Sequence, residues 1–215
     1  MNPFPLILSS PSGGGKTTIA RLLLQRRSDV GYSVSCTTRS PRNGEVDGKD
    51  YHFVTRDEFQ KKRERGDFAE SAEVHGNLYG TLRKEVDGVL AAGKHVVMDI
   101  DVQGARLFVA SYPESVLVFL LPPSAEILVG RLNSRNTEAR ESALRRLVSA
   151  RGELAAVNEY QYVVVNDDLE RAYAQVASIV DAETVRHRRL PLLSDKVSRL
   201  AEELDRRILE YSRPT

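Results

Sequence analysis

The sequence predicts an α/β protein, a wound parallel sheet with a smaller α+β lobe inserted into it. Three observations carry that reading. Four short apolar runs, at residues 4–8, 96–100, 116–121 and 162–165, are nearly continuous rather than alternating. Strands covered on both faces of a parallel sheet have this character. Helical spacing fills the stretches between, with Ile19, Leu22, Leu23 and Arg26 after the first run and Leu144, Leu147, Val148 and Leu154 before the last. Strands alternating with helices imply βαβ units. From about residue 36 to residue 92 the rhythm breaks. A Pro/Gly-bearing loop, Ser40-Pro41-Arg42-Asn43-Gly44, is followed by a charged helix candidate at 57–65 and polar strand candidates at 68–74 and 77–79.

Composition narrows the function classes. With 41% hydrophobic and 28% charged residues the chain reads as globular rather than disordered. A formal charge of +1, from 31 basic against 30 acidic residues, argues against a globally basic nucleic-acid binder. The longest apolar run, 116–121, is too short to cross a bilayer, and no basic residue precedes the apolar stretch near the N-terminus as a signal peptide requires. Cys36 is the single cysteine, so no intrachain disulfide forms, which fits a reducing cytoplasm. The histidines at 52, 75, 95 and 187 stand too far apart for a structural zinc.

The first apolar run leads directly into Ser10-Pro11-Ser12-Gly13-Gly14-Gly15-Lys16-Thr17-Thr18 and then a helical stretch. Strand, glycine-rich turn, Lys-Thr and helix form the context of a phosphate-binding P-loop. Glycines let successive backbone N–H groups close around phosphate oxygens, and the helix N-terminus adds its positive end. Lys16 is expected to reach the β- and γ-phosphates of ATP, and the Thr17 hydroxyl to hold Mg²⁺. Ser10 stands where the usual pattern has its first glycine. Asp99, near the end of the second run, is the expected acidic partner, orienting the shell of the Mg²⁺ at the C-terminal end of a parallel strand.

The inserted region carries a resemblance. Residues 33–45, beginning Ser33-Val34-Ser35-Cys36-Thr37-Thr38-Arg39, and Gly48-Lys49-Asp50-Tyr51-His52-Phe53 resemble the nucleoside-monophosphate lobe of guanylate kinases. So do His75-Gly76-Asn77-Leu78-Tyr79-Gly80-Thr81, Asp99-Ile100-Asp101-Val102-Gln103-Gly104 and Val165-Asn166-Asp167-Asp168. The resemblance covers about residues 4–184. It implies a P-loop core at 1–35 and 93–184, a GMP-binding insert at about 36–92, an Arg-rich lid at about 131–151, and a separate tail at 185–215.

It also implies transfer of a phosphoryl group from ATP to GMP, and to dGMP, in purine nucleotide metabolism, in the cytoplasm. Arg39 and Arg42 then grip the GMP phosphate as forked, permanently charged donors. Tyr51 and Tyr79 add phenolic hydrogen bonds, and Glu45 buttresses the arginines. Glu70 discriminates the base, because a carboxylate accepts from guanine N1–H and its amino group while adenine offers neither. Ser35 and Thr81 match positions touching the base, and Asp101 one beside the bound GMP. Arg135 and Arg146 match lid contacts to the ATP phosphates, with Arg131 a third candidate, and Asn166 a position near adenine.

Two other functions share these features. One is a phosphotransferase for a different acceptor, which the Glu70, Ser35 and Thr81 set disfavours. The other is a guanylate-kinase-like binding module, which needs neither phosphate loop nor lid arginines. The tail is read from its own spacing. Val197, Leu200, Ala201, Leu204, Ile208 and Tyr211 form the apolar stripe of a helix over 194–211, with Ser194 or Asp195 as its cap. Such a stripe either docks on its own domain or pairs with a second subunit in a homodimer.

Overall fold

The computed structural model describes residues 2–74, 76–133 and 140–212; the side chains of residue 133 and of 140–143 are left aside. In chain order the elements begin β1 (Pro5–Ser9), α1 (Lys16–Arg26), β2 (Val30–Tyr32), β3 (Ser35–Thr37), β4 (His52–Phe53) and α2 (Arg56–Glu64). Next come β5 (Phe68–Val74), β6 (Asn77–Leu82), α3 (Arg83–Ala91), β7 (His95–Met98), α4 (Val102–Ser111) and β8 (Val116–Leu121). The last part holds α5 (Ala125–Asn133), α6 (Arg140–Leu154), β9 (Tyr162–Val165), α7 (Leu169–Thr184) and α8 (Leu193–Tyr211).

The main sheet has the order β2-β7-β1-β8-β9, with every pairing parallel. The four apolar runs became its four longer strands. Two cores fix them: Leu6, Leu8, Val97, Val118 and Val164 pack with Ile19 and Leu23 of α1 and Val176 and Val180 of α7. On the other face Ile7, Val96, Met98 and Phe119 meet Val86 of α3 and Phe108 of α4. Strand β2 was not expected. Three residues with one glycine carry no legible pattern, and β2 exists because it adds to the open edge of β7.

The inserted lobe has its own mixed sheet, β4-β3-β6-β5. Its small core is Cys36, Phe59, Phe68 and Leu82. Helix α2 is set by a capping box in which Thr55 and Glu58 satisfy each other's backbone N–H groups. Ser35, expected in the core segment, begins lobe strand β3, and α3, expected in the insert, packs on the main sheet.

The tail departs from expectation at its start. The residue before α8 is Leu192, at φ 67° and with no side-chain cap, so Ser194 and Asp195 lie inside the helix instead of capping it. No residue of α8 is buried. Its root, by contrast, is locked: Arg189 is 1% exposed, donates to Glu183 at 3.2 Å and to the Glu114 carbonyl at 2.8 Å, and stacks 4.3 Å over Phe4. Glu183 also accepts from Tyr162 at 2.6 Å. This cluster sits where β1, β8 and β9 begin, at the opposite end of the sheet from the glycine-rich loop.

Candidate active site

Strand β1 delivers the chain into the loop, and Gly15, at φ 97°, turns it into α1. Lys16 folds back so that its Nζ donates to the Ser10 carbonyl at 3.2 Å. Thr17, exposed at the mouth, donates to Asp99 Oδ2 at 2.6 Å, just past the end of β7. The other Asp99 oxygen accepts from the Tyr32 hydroxyl at 2.9 Å, and burial followed by the Asp99 charge pushes that phenol far above its ordinary range. Both carboxylate oxygens are therefore aimed.

The structure explains Ser10. A Cβ on Gly14 would lie 2.5 Å from the Ser10 Cβ and Oγ, so the serine side chain occupies space that Gly14 leaves open. The Ser10 hydroxyl and the Gly14 N–H both donate to the Pro11 carbonyl, at 3.0 and 2.8 Å. Asn166 is buried beneath the loop, its Nδ2 donating to the Gly14 carbonyl at 2.8 Å. A Cβ on Gly15 would fall 2.3 Å from that nitrogen. Asn166 thus braces the loop through its amide nitrogen.

Across the cleft the lobe sets two clusters. Glu45 accepts both contacts from one Arg39 nitrogen, at 2.9 and 3.0 Å, and the Arg42 backbone N–H at 2.7 Å. Burial acts to raise the Glu45 pKa, but these bonds outweigh it and hold the carboxylate below its ordinary range. The Arg39 guanidinium lies 5.5 Å over the Tyr51 ring, which meets Tyr79 edge-on at 6.1 Å. Burial, then nearby Asp99, pushes the Tyr51 hydroxyl up to about 12, so it remains a donor. The Arg42 side chain is exposed.

At the other cluster Glu70 is buried at 7% exposure and accepts from the Thr81 hydroxyl at 2.7 Å. Burial pushes its pKa up to about 7; the Thr81 bond opposes the rise and Asp101 adds to it. Ser35 pairs with Thr81 across β3 and β6. Gly104 lets α4 approach, since a Cβ there would stand 3.3 Å from Glu70. Asp101 caps α4 by accepting the Gly104 N–H at 2.7 Å. An open cleft of about 330 Å³ runs from Asp101 between lobe residue Glu73, Arg106 of α4 and Ser149 and Glu153 of α6.

Helix α6 reaches the loop directly. Arg146 donates to the Ser12 hydroxyl at 3.2 Å, and the Ser12 N–H donates to Glu153 at 3.0 Å. Arg131 donates to the Asn166 carbonyl at 3.1 Å. Arg135 and His75 lie outside the described residues.

The family model described as guanylate kinase matches residues 2–183. The chain belongs to the guanylate kinase family. It is 47% identical over 199 residues to a guanylate kinase of Chelativorans sp., covering 92% of this chain and 91% of that one. A guanylate kinase of Anaeromyxobacter dehalogenans is 50% identical over 184 residues, 85% of this chain and 81% of the relative. Among solved structures, the guanylate kinase from Anaplasma phagocytophilum superposes with a TM-score of 0.75 at 35% identity, over 90% and 92% of the two chains.

Within a guanylate kinase frame, two residues at the site were not singled out by sequence reasoning. Glu153 holds the loop through the Ser12 N–H. The signal was present, because 146, 149 and 153 share one helix face at spacings of three and four. Tyr32 gave no signal beyond its place one strand away from Asp99.

Proposed function

We propose that this chain transfers the terminal phosphoryl group of ATP to GMP, giving ADP and GDP. The observations that support the assignment are the buried Glu70–Thr81 pair of the lobe and a glycine-rich loop that presents Lys16 and Thr17 at the end of β1. An oxygen of the GMP phosphate attacks the γ-phosphorus and the bond to the β-γ bridging oxygen breaks. That nucleophile is already an oxyanion, so no side chain has to take its proton. The residues instead align it and exclude water.

In this reading Arg39 and Arg42, with Tyr51 and Tyr79, hold the acceptor phosphate while Glu45 orients the arginines. Glu70, Ser35, Thr81 and Asp101 select guanine. The backbone of Ser10–Thr18 cradles the donor phosphates, and Lys16, Arg146 and Arg135 neutralise charge on the moving group. Asn166 serves ATP through the loop it braces. dGMP is included because the named residues address the base and phosphate, not the ribose.

Among the described residues no group of three or more His, Cys, Asp or Glu forms a metal cluster. Magnesium does not need one, since it takes one or two protein oxygens and completes its shell with phosphate and water. The Thr17 hydroxyl and Asp99 carboxylate are such hard donors and fit it, with Asp99 acting on its waters. When bound, the ion supplies charge neutralisation between the β- and γ-phosphates.

The reading also includes a place in purine nucleotide metabolism and GMP recycling in the cytoplasm, no nucleic-acid or membrane partner, and a homodimer through the C-terminal helix. No described helix is long and apolar enough to cross a membrane. A coupled assay with ATP and, in turn, GMP, AMP, CMP and UMP tests the assignment. Turnover of GMP alone is expected; equal use of AMP removes the role given to Glu70.

A further inference from the structure

The two oxygens of Glu70 have different neighbours. Oε1 accepts the Thr81 hydroxyl at 2.7 Å, on the side where Ser35 and Thr81 pair across β3 and β6. Oε2 lies toward α4: a Cβ built on Gly104 would stand 3.3 Å from it and 3.2 Å from Asp101 Oδ1. Hydroxyls, Oε1, Oε2 and Asp101 therefore follow one another across the site. The edge of guanine offers O6, then N1–H, then a 2-amino group with two hydrogens. Matching donors to acceptors puts O6 at the hydroxyls, N1–H on Oε1 and one amino hydrogen on Oε2. The second amino hydrogen, on the N3 side, then faces Asp101.

Asp101 is also part of the wall of the open cleft of about 330 Å³. No other residue given a contact to the base or to a phosphate above lines that cleft. A substituent replacing the second amino hydrogen enters it while Glu70 keeps both of its donors. We propose that this chain also phosphorylates guanosine monophosphates that carry one substituent on the 2-amino nitrogen, with the substituent lying in this cleft. The inference rests on the guanine reading of Glu70 given above. The reaction is the same: an oxygen of the acceptor phosphate bonds to the γ-phosphorus, the bond to the β-γ bridging oxygen breaks, and ADP leaves. The substituent takes no part in it.

Charge decides which substituents fit. Asp101, Glu73 and Glu153 each place a carboxylate on the wall. Glu153 accepts from the Ser12 N–H and the Ser149 hydroxyl, and Glu73 stands 4.0 Å from Arg56 with both exposed. Among the described residues of the wall the cation is Arg106, and Glu159 holds its guanidinium. The cleft is therefore acidic. An arm ending in an ammonium gives Asp101 back the donor that substitution removes, whereas a carboxylate arm meets like charge. Space is sufficient, since an arm of three heavy atoms, at roughly the 30 Å³ of a water each, fills less than a third of the volume.

The coupled assay with ATP tests this on GMP and on its N2-ethyl, N2-(2-aminoethyl), N2-carboxymethyl, N2,N2-dimethyl and N1-methyl derivatives. For the ethyl compound kcat/KM should stay within about tenfold of GMP, the cost of one hydrogen bond at Asp101. The aminoethyl compound should exceed the carboxymethyl one by about tenfold or more. The dimethyl and N1-methyl compounds should each lose at least about 1,000-fold, because each leaves Glu70 short of a donor. Glu73→Gln should narrow the aminoethyl-to-carboxymethyl ratio while GMP turnover stays unchanged. Equal losses for the ethyl and dimethyl compounds, with GMP turned over normally, overturn the proposal. A carboxymethyl compound as good as the aminoethyl one overturns the placement of the arm in the acidic cleft. Absence of GMP turnover would instead remove the guanine reading itself, and this inference with it.

Discussion

Replacing Glu70 by Gln tests guanine recognition through an energy readable from the structure. In the free protein the carboxyl is 7% exposed and its pKa has risen from 4.5 to about 7, chiefly through burial. At 1.36 kcal/mol per pH unit, keeping it ionised above pH 7 costs the free fold about 3 kcal/mol. Because the folded pKa lies above the unfolded one, the native state binds more protons between about pH 4.5 and 7, and stability falls as pH rises through that window. GMP reverses the penalty by offering N1–H and amino donors to the ionised form. Binding therefore requires the carboxylate, and protonation competes with it.

With a pKa of about 7, only about one molecule in eleven is ionised at pH 6 and about ten in eleven at pH 8. GMP affinity should rise about tenfold between those values. A phosphate monoester also titrates near pH 6, so the control is the Glu70→Gln protein, which meets the same titrating phosphate. In that variant the difference due to the carboxylate should vanish. Its kcat/KM for GMP should fall about 100-fold, since a charge-assisted bond worth about 1.5–3 kcal/mol is replaced by an amide N–H facing a donor. The free variant should melt several degrees higher than wild type at pH 8. Calorimetric titration, the coupled assay and thermal melts across pH 6–8 measure all three. An identical pH profile in both proteins would refute the argument that Glu70 must ionise to bind.

Lys16→Ala should remove about 3 kcal/mol or more of transition-state stabilisation, a loss of at least about 100-fold in kcat, with an unchanged melting temperature. Near-normal turnover in the folded variant would end the phosphate-loop assignment. Gly14→Ala forces a Cβ to 2.5 Å from Ser10, so ATP binding should weaken by about tenfold or more, and adding Ser10→Gly should recover part of it. No recovery would mean the two positions do not share that space. Glu153→Ala frees the Ser12 N–H from its α6 partner and should raise KM for ATP by about fivefold while leaving KM for GMP nearly unchanged. The reverse split would move Glu153 to the acceptor side.

The sheet was legible because β1, β7 and β8 are buried on both faces, and burial writes continuous apolar runs at 4–8, 96–100 and 116–121. The run at 162–165 gave β9 as well, although that edge strand leaves Val163 and Val165 exposed. Strand β2 was not, because an edge strand of three residues is chosen by the neighbour it pairs with. The same division holds at the site. Lys16, Thr17 and Asp99 could be read from local order, since a loop, a helix start and a strand end each impose residue types at fixed offsets. Glu153 and Asn166 act on the loop from 141 and 152 residues away, and no local pattern records a contact made only by folding.

Ser10 shows why a motif departure need not weaken the chemistry it belongs to. The loop requires that positions 10 and 14 together leave room for the chain to fold back on the Pro11 carbonyl. A glycine at either position can supply that room. Here Gly14 supplies it, and the serine fills the remainder while its hydroxyl binds the carbonyl that the turn is built around. The constraint is thus a shared volume rather than a residue. A pattern demanding glycine at the first position discards a loop whose geometry is intact.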